Sequence, residues 1–92
     1  VGRARVEIGG GATVSAEIAG AGETAIVLAH GAGNDMRNPL LSAVHLGLAA
    51  RGFVTVKFNF PYTEAGRRAP DRMPALEACY RAVVEHVRRE LR

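Results

Sequence analysis

The segment Ala25-Ile26-Val27-Leu28-Ala29 constrains the fold more than any other part of the chain. Five apolar residues without alternation are too few for an ordinary helix and have the pattern of a strand covered on both faces of a parallel sheet. The run therefore marks the central strand. His30-Gly31-Ala32-Gly33 follows at once, so the backbone turns sharply at a strand's carboxyl end, where parallel α/β sheets place their ligands.

The flanking sequence supplies the rest of such a sheet. Val6 and Ile8, then Val14, Ala16 and Ile18, alternate with polar neighbours on either side of Gly9-Gly10-Gly11, predicting an antiparallel hairpin. Asn38 before Pro39 sets an N-cap and a first helical residue, and Gly52 a C-cap, predicting one helix. Leu40, Leu41, Val44, Leu48 and Ala49 form its apolar stripe toward the sheet. Val54, Val56, Phe58 and Phe60 alternate with Thr55, Lys57 and Asn59 up to Pro61, giving the next strand. Strand, helix, strand implies a right-handed parallel crossover. A polar stretch from Tyr62 to Pro74 is predicted as a loop. A second helix follows, with Leu76, Tyr80, Val83, Val84, Val87 and Leu91 as its stripe.

Size and composition narrow the class of function. The 92 residues allow one modest core, because a domain of this size buries between ~60% and ~70% of its unfolded surface. No apolar run approaches the ~18 residues of a membrane span. The start, Val1-Gly2-Arg3-Ala4-Arg5, lacks a secretion signal, so the expected location is the cytoplasm. Cys79 is the one cysteine, which removes internal disulfides and multi-cysteine metal sites. The net charge of +3 is carried largely by arginines, but Asp71, Glu77, Glu85 and Glu90 interrupt them, which argues against a nucleic-acid face.

The glycines of the 30–33 loop leave backbone amides uncovered, and such amides stabilise the oxyanion of acyl transfer when held at about 2.7–3.1 Å. Ala32 is the first donor candidate and Gly33 the second, with His30 and Gly31 setting the loop's geometry. No carboxylate or nucleophile lies close to His30 in sequence, so its expected role is to orient the loop rather than to act as a base. Exposed amides before a helix also hold phosphate, but the glycine patterns of nucleotide loops are absent.

Three blocks in order, Leu28-Ala29-His30-Gly31-Ala32-Gly33-Asn34-Asp35-Met36, Phe58-Asn59-Phe60-Pro61-Tyr62 and Gly66-Arg67-Arg68-Ala69-Pro70-Asp71-Arg72, resemble the α/β-hydrolase family. Within it they are most similar to the branch that contains testis-expressed protein 30 and the third subunit of the NSL acetyltransferase complex, related to dienelactone hydrolase. The resemblance runs from about Glu23 through the last helix. It implies the N-terminal part of an α/β-hydrolase fold: a mostly parallel sheet of order 1-2-4-3 with an N-terminal hairpin and helices on both faces. It also implies Ser-His-Asp chemistry on an ester or thioester, with no cofactor. The strand and Gly-x-Ser-x-Gly elbow of such domains are expected after Arg92, leaving these residues inactive alone. The alternative is an interaction scaffold that keeps the fold and has lost the chemistry.

The remaining candidate residues have plainer roles. Ser15 in a hairpin strand and Ser42 in a helix lack the flanking glycines of a nucleophile elbow. Cys79 is expected to be a buried thiol, and His86, two helical turns or ~10 Å away, is too far to activate it. His45, without a second ligand three or four positions away, is expected at a boundary or surface and not on a metal. Asn34, Asp35, Tyr62 and Arg67 are candidates for substrate contact; for Asn34 and Asp35 the plainer role is starting the helix. Glu64, Arg67, Arg68 and Asp71 line a substrate entrance or form an ion-paired loop. In the 1-2-4-3 order Ala25–Ala29 becomes a bare edge, predicting self-association or pairing with a second half of the domain.

Overall fold

In the computed structural model, which describes residues 2–9, 11–31, 35–66 and 71–90, strands β1 (Gly2–Gly9) and β2 (Ala12–Ala19) form the predicted antiparallel hairpin. Gly9 and Gly11, both at positive φ, carry its turn. Strand β3 (Ala25–Ala29), helix α1 (Pro39–Ala50) and strand β4 (Val54–Phe58) make the parallel crossover. A short helix α2 (Pro61–Glu64) and a long helix α3 (Met73–Glu90) follow. The strand order is β1-β2-β4-β3, as expected.

Three expectations are corrected. The sheet is mixed and not mostly parallel: β1 with β2 and β2 with β4 are antiparallel, and only β3 with β4 is parallel. The interior strand of the parallel pair is β4, whose last four residues are buried, whereas β3, expected to be central, pairs on one side and is only half-buried. The stretch predicted as a loop from Tyr62 to Pro74 begins within α2 and ends within α3.

The helices lie on opposite faces. On one, α3 packs Cys79, Val83 and Val87 against Val6, Val14, Ala16, Val56 and Phe58 to form the hydrophobic core. On the other, α1 covers the side of β4 that carries Thr55 and Lys57. That polar strand face rotates the inner face of α1 away from part of the expected stripe, of which Leu41, Leu48 and Ala49 stay half-buried, and it buries His45, expected at a boundary or surface. His45 is bonded through Nδ1 to the Thr55 hydroxyl at 3.0 Å, and Ser42 accepts from Lys57 Nζ at 2.9 Å. Leu40 and Val44 instead face outward, 74% and 41% exposed. Burial first, and the nearby Lys57 cation second, push the His45 imidazole below its ordinary value, so it sits under the helix as a neutral ring.

Caps and turns fix the element ends. The Asn38 side chain accepts from the N–H groups of Leu40 and Leu41, as its position before Pro39 predicts. Gly20 and Gly22, at φ +84° and +151°, pass so close to the turn before β4 that an added Cβ would run into the carbonyls of Phe53 and Gly52.

The free edge of β3 is not entirely bare. Thr24 offers its carbonyl to the N–H of Val54, and backbone direction alternates along a strand, so the Val27 carbonyl points the other way, toward the open edge. The Tyr80 hydroxyl of α3 donates to it at 2.7 Å.

Candidate functional site

The carboxyl ends of the parallel strands β3 and β4 meet at His30, and the hydrogen bonds there dictate its chemistry. Nε2 lies 3.2 Å from the backbone nitrogen of Phe60, which can only donate. Nδ1 lies 2.9 Å from the Gly31 carbonyl, which can only accept. The ring is therefore the neutral Nδ1–H tautomer with Nε2 as acceptor; the Thr63 hydroxyl lies 3.2 Å from the same nitrogen, where it shares the one lone pair with the Phe60 N–H. His30 is buried and meets the rings of Phe60 and Tyr62 edge-on at 5.1 and 5.8 Å. With both nitrogens engaged it orients the corner and is not poised as a base.

These contacts also end β4. The alternation of apolar residues continues to Phe60, but the N–H of Phe60 is spent on a side chain, so the strand ladder stops at Phe58. Gly31 receives a second donor, the Tyr62 hydroxyl at 3.5 Å. The backbone N–H of Tyr62 in turn donates to Asp71 Oδ2 at 3.1 Å, tying α2 to the start of α3. Tyr62, a candidate for substrate contact, is thus buried, and it braces the corner from beneath.

A second network holds the other side of the corner. The N–H of Met36 donates to Asn59 Oδ1 at 2.9 Å, and Asn59 Nδ2 donates to Glu64 at 2.8 Å. Glu64 also receives Arg5 at 2.8 Å and Ser15 at 3.2 Å. Burial pushes the Glu64 carboxyl up, but the bonds from Asn59, Arg5 and Ser15 together outweigh it and leave it below its ordinary value. Glu64 and Asp71 therefore act as bracing residues of a bonded loop. Asp35 accepts from the N–H of Arg37 at 2.8 Å and closes the turn before α1, while the helix itself is capped by Asn38. Ala32, Gly33, Asn34, Arg67 and Arg68 lie outside the described residues.

Sequence reasoning missed Asn59, Thr63 and Arg5 as parts of this frame. Their partners are distant in the chain, and no spacing rule reports them.

The corner opens on a cavity of about 390 Å³ lined by Ala29, His30, Gly31, Asn38, Leu40, Leu41 and Val44. Among the described residues no nucleophile is activated there. Ser15 is bonded to Arg5 and Glu64, and Ser42 to Lys57. Cys79 is buried, and burial with the nearby Asp71 charge pushes its thiol up to about 11, so it stays protonated at neutral pH. No cluster of three metal-ligating side chains occurs among the described residues, and none of the helices searched there is long and apolar enough to cross a membrane.

Neither the curated proteins nor the solved structures provide a significant match to the chain. A family model described as an alpha/beta hydrolase domain does match, over residues 22–92, which takes in β3, the His30 corner, the crossover and α3. By that match, the chain belongs to the alpha/beta hydrolase domain family.

Proposed function

We propose that this chain contributes the oxyanion loop of a serine hydrolase acting on an ester or thioester, of the branch related to dienelactone hydrolase. The backbone amides of Ala32 and Gly33 are the donors to the developing alkoxide, and the nucleophile, acid and histidine come from polypeptide outside these 92 residues. The observation that carries this reading is the bracing of Gly31. Its carbonyl is held against His30 Nδ1 and the Tyr62 hydroxyl at the end of β3. A carbonyl bonded to two side chains fixes Gly31, the last described residue before the proposed donors. Preorganisation of this kind is what an oxyanion site requires, since its donors must not move as charge develops.

The neutral, doubly bonded His30 supports the division of labour. A histidine so engaged is a positioning residue, and a separate histidine must accept the nucleophile's proton.

The surroundings of β3 support a further strand beside it. Exposed Leu40 and Val44 flank the edge on the α1 side. On the α3 side, a shallow cavity of about 210 Å³ is lined by Phe60, Met73, Leu76, Glu77 and Tyr80. A strand apolar on both faces fits between the two, supplied by the rest of the domain or by a second copy.

A fluorophosphonate probe tests the proposal. The 92-residue chain is expected to remain unlabelled and a longer polypeptide carrying an elbow serine to be labelled. Labelling of the short chain would overturn the assignment. An unlabelled longer chain without that serine would favour the non-catalytic scaffold.

A further inference from the structure

A second cavity, remote from the His30 corner and from the open β3 edge, lies at the flank of α1 over β1 and β2. It measures about 430 Å³ and is lined by Gly2, Arg3, Glu17, Ala19, Ser42, His45, Leu46 and Lys57. Because β1 and β2 stand at the far end of the sheet from β3, a strand added at β3 would not cover it.

Its charges are arranged by strand register. Arg3 pairs with Glu17 across β1 and β2, and Glu17 with Lys57 across β2 and β4, so the three side chains form a row on one sheet face. Lys57 Nζ lies 3.3 Å from Glu17 and 2.9 Å from Ser42 Oγ, and the lysine side chain is only 5% exposed. These two partners leave the third ammonium proton without an acceptor among the described residues. Arg3 Nε is 3.8 Å from Glu17, beyond hydrogen-bond distance, and its side chain is 79% exposed. The row therefore carries one positive charge in excess, with a guanidinium free to turn toward the cavity. His45 spends Nδ1 on Thr55, while Nε2 has no partner among the described residues and no buried polar atom there is left unsatisfied, so Nε2 reaches the cavity.

From this arrangement we infer a binding site for a short-chain monocarboxylate. Its carboxylate accepts from Lys57 Nζ on the cavity side of Glu17, where the exposed Arg3 guanidinium turns to meet it, within reach of Ser42 and His45, and its small apolar tail lies against Ala19 and Leu46. One negative charge neutralises the row, and a planar carboxylate matches the two-pronged guanidinium. A phosphate dianion would overcharge a row that already contains Glu17.

The test is NMR titration of the chain with propionate, inorganic phosphate and chloride, followed at the His45 ring and the Arg3 Nε–H. Propionate is expected to give saturable shifts at both groups, with weaker or no saturation for the other two anions. Arg3→Ala removes an exposed side chain that the core does not need. It is expected to weaken propionate binding at least about tenfold, the scale of a charge-assisted hydrogen bond. Ser42→Ala, which removes a neutral contact, is expected to weaken it less. Shifts no larger than those with chloride, phosphate binding tighter than propionate, or an Arg3→Ala chain of unchanged affinity would each overturn the inference.

Discussion

Replacing His30 by alanine tests the frame on which the proposed oxyanion loop rests. The substitution leaves the buried N–H of Phe60 without its acceptor at 3.2 Å, a loss of about 1–3 kcal/mol for an unsatisfied buried donor. It also removes two edge-on ring contacts, with Phe60 and Tyr62, each contributing about 0.5–1.5 kcal/mol. The expected destabilisation is thus about 2–6 kcal/mol, a large share of the ~5–14 kcal/mol available to a chain of this length. Gly31 keeps the Tyr62 hydroxyl as a donor, so its carbonyl contributes little to the loss.

Urea unfolding followed by circular dichroism at neutral pH measures the effect, and His30→Gln separates its parts. The glutamine amide oxygen can take the place of Nε2 as acceptor for Phe60, so this variant is expected to recover about half of the loss. Long-range 15N correlation reads the tautomer directly, and the proton should be on Nδ1. A proton found on Nε2, or a glutamine variant as unstable as the alanine one, would refute the hydrogen-bond argument and with it the positioning role.

Five further outcomes follow from the geometry. Gly22→Ala forces a side chain into the Gly52 carbonyl at φ +151° and should cost at least ~2 kcal/mol by denaturant unfolding; Gly47→Ala, which meets open space within α1, should stabilise by about 0.5–1 kcal/mol. Because the folded Glu64 carboxyl lies below its ordinary value, its contribution is complete above the ordinary carboxylate range and lost as pH falls through the lower folded value. Glu64→Gln should therefore flatten the acid limb of stability against pH, and an unchanged limb would contradict the network. Cys79, raised to about 11 by burial and by Asp71, should resist alkylation at neutral pH in the native chain and react fully in denaturant. Tyr80→Phe uncaps the Val27 carbonyl, with an expected loss of about 0.5–1.5 kcal/mol and stronger concentration-dependent association in sedimentation velocity.

The hairpin and the crossover were legible because alternation and capping are local. Val6, Val14 and Ala16 share a face, and Asn38 before Pro39 starts α1 where the structure starts it. The apolar run of β3 suggests a central strand, whereas the 1-2-4-3 order implied by the family resemblance puts it at the edge, where the structure has it. An unbroken apolar run reports that both faces of a strand are covered or await cover, and says nothing about how many neighbours it bonds. Apolar spacing alone puts Leu40 and Val44 on the inner face of α1 beside Leu41, Leu48 and Ala49, but only the last three are half-buried. Thr55 and Lys57 across the interface select His45 and Ser42 instead. The bracing of the candidate site was invisible for a third reason: Met36 to Asn59, Glu64 to Arg5 and Ser15, and His30 to Phe60 are pairings of distant residues.

These errors share an origin in β4, the strand that the rest of the molecule is built around. Its core face, Val56 and Phe58, meets α3, and its polar face, Thr55 and Lys57, meets α1. Beyond its last residue, Asn59 holds the loop before α1 and Phe60 holds His30. His30 and Gly31 thus take their orientation from the end of a neighbouring strand and the turn beyond it. A fixed backbone direction requires partners that resist rotation, and for the Gly31 carbonyl these are His30 and Tyr62. The proposed donor loop therefore depends on more than its glycines: the segment from Asn59 to Glu64, where one strand ends and α2 begins, holds the residues on both sides of it.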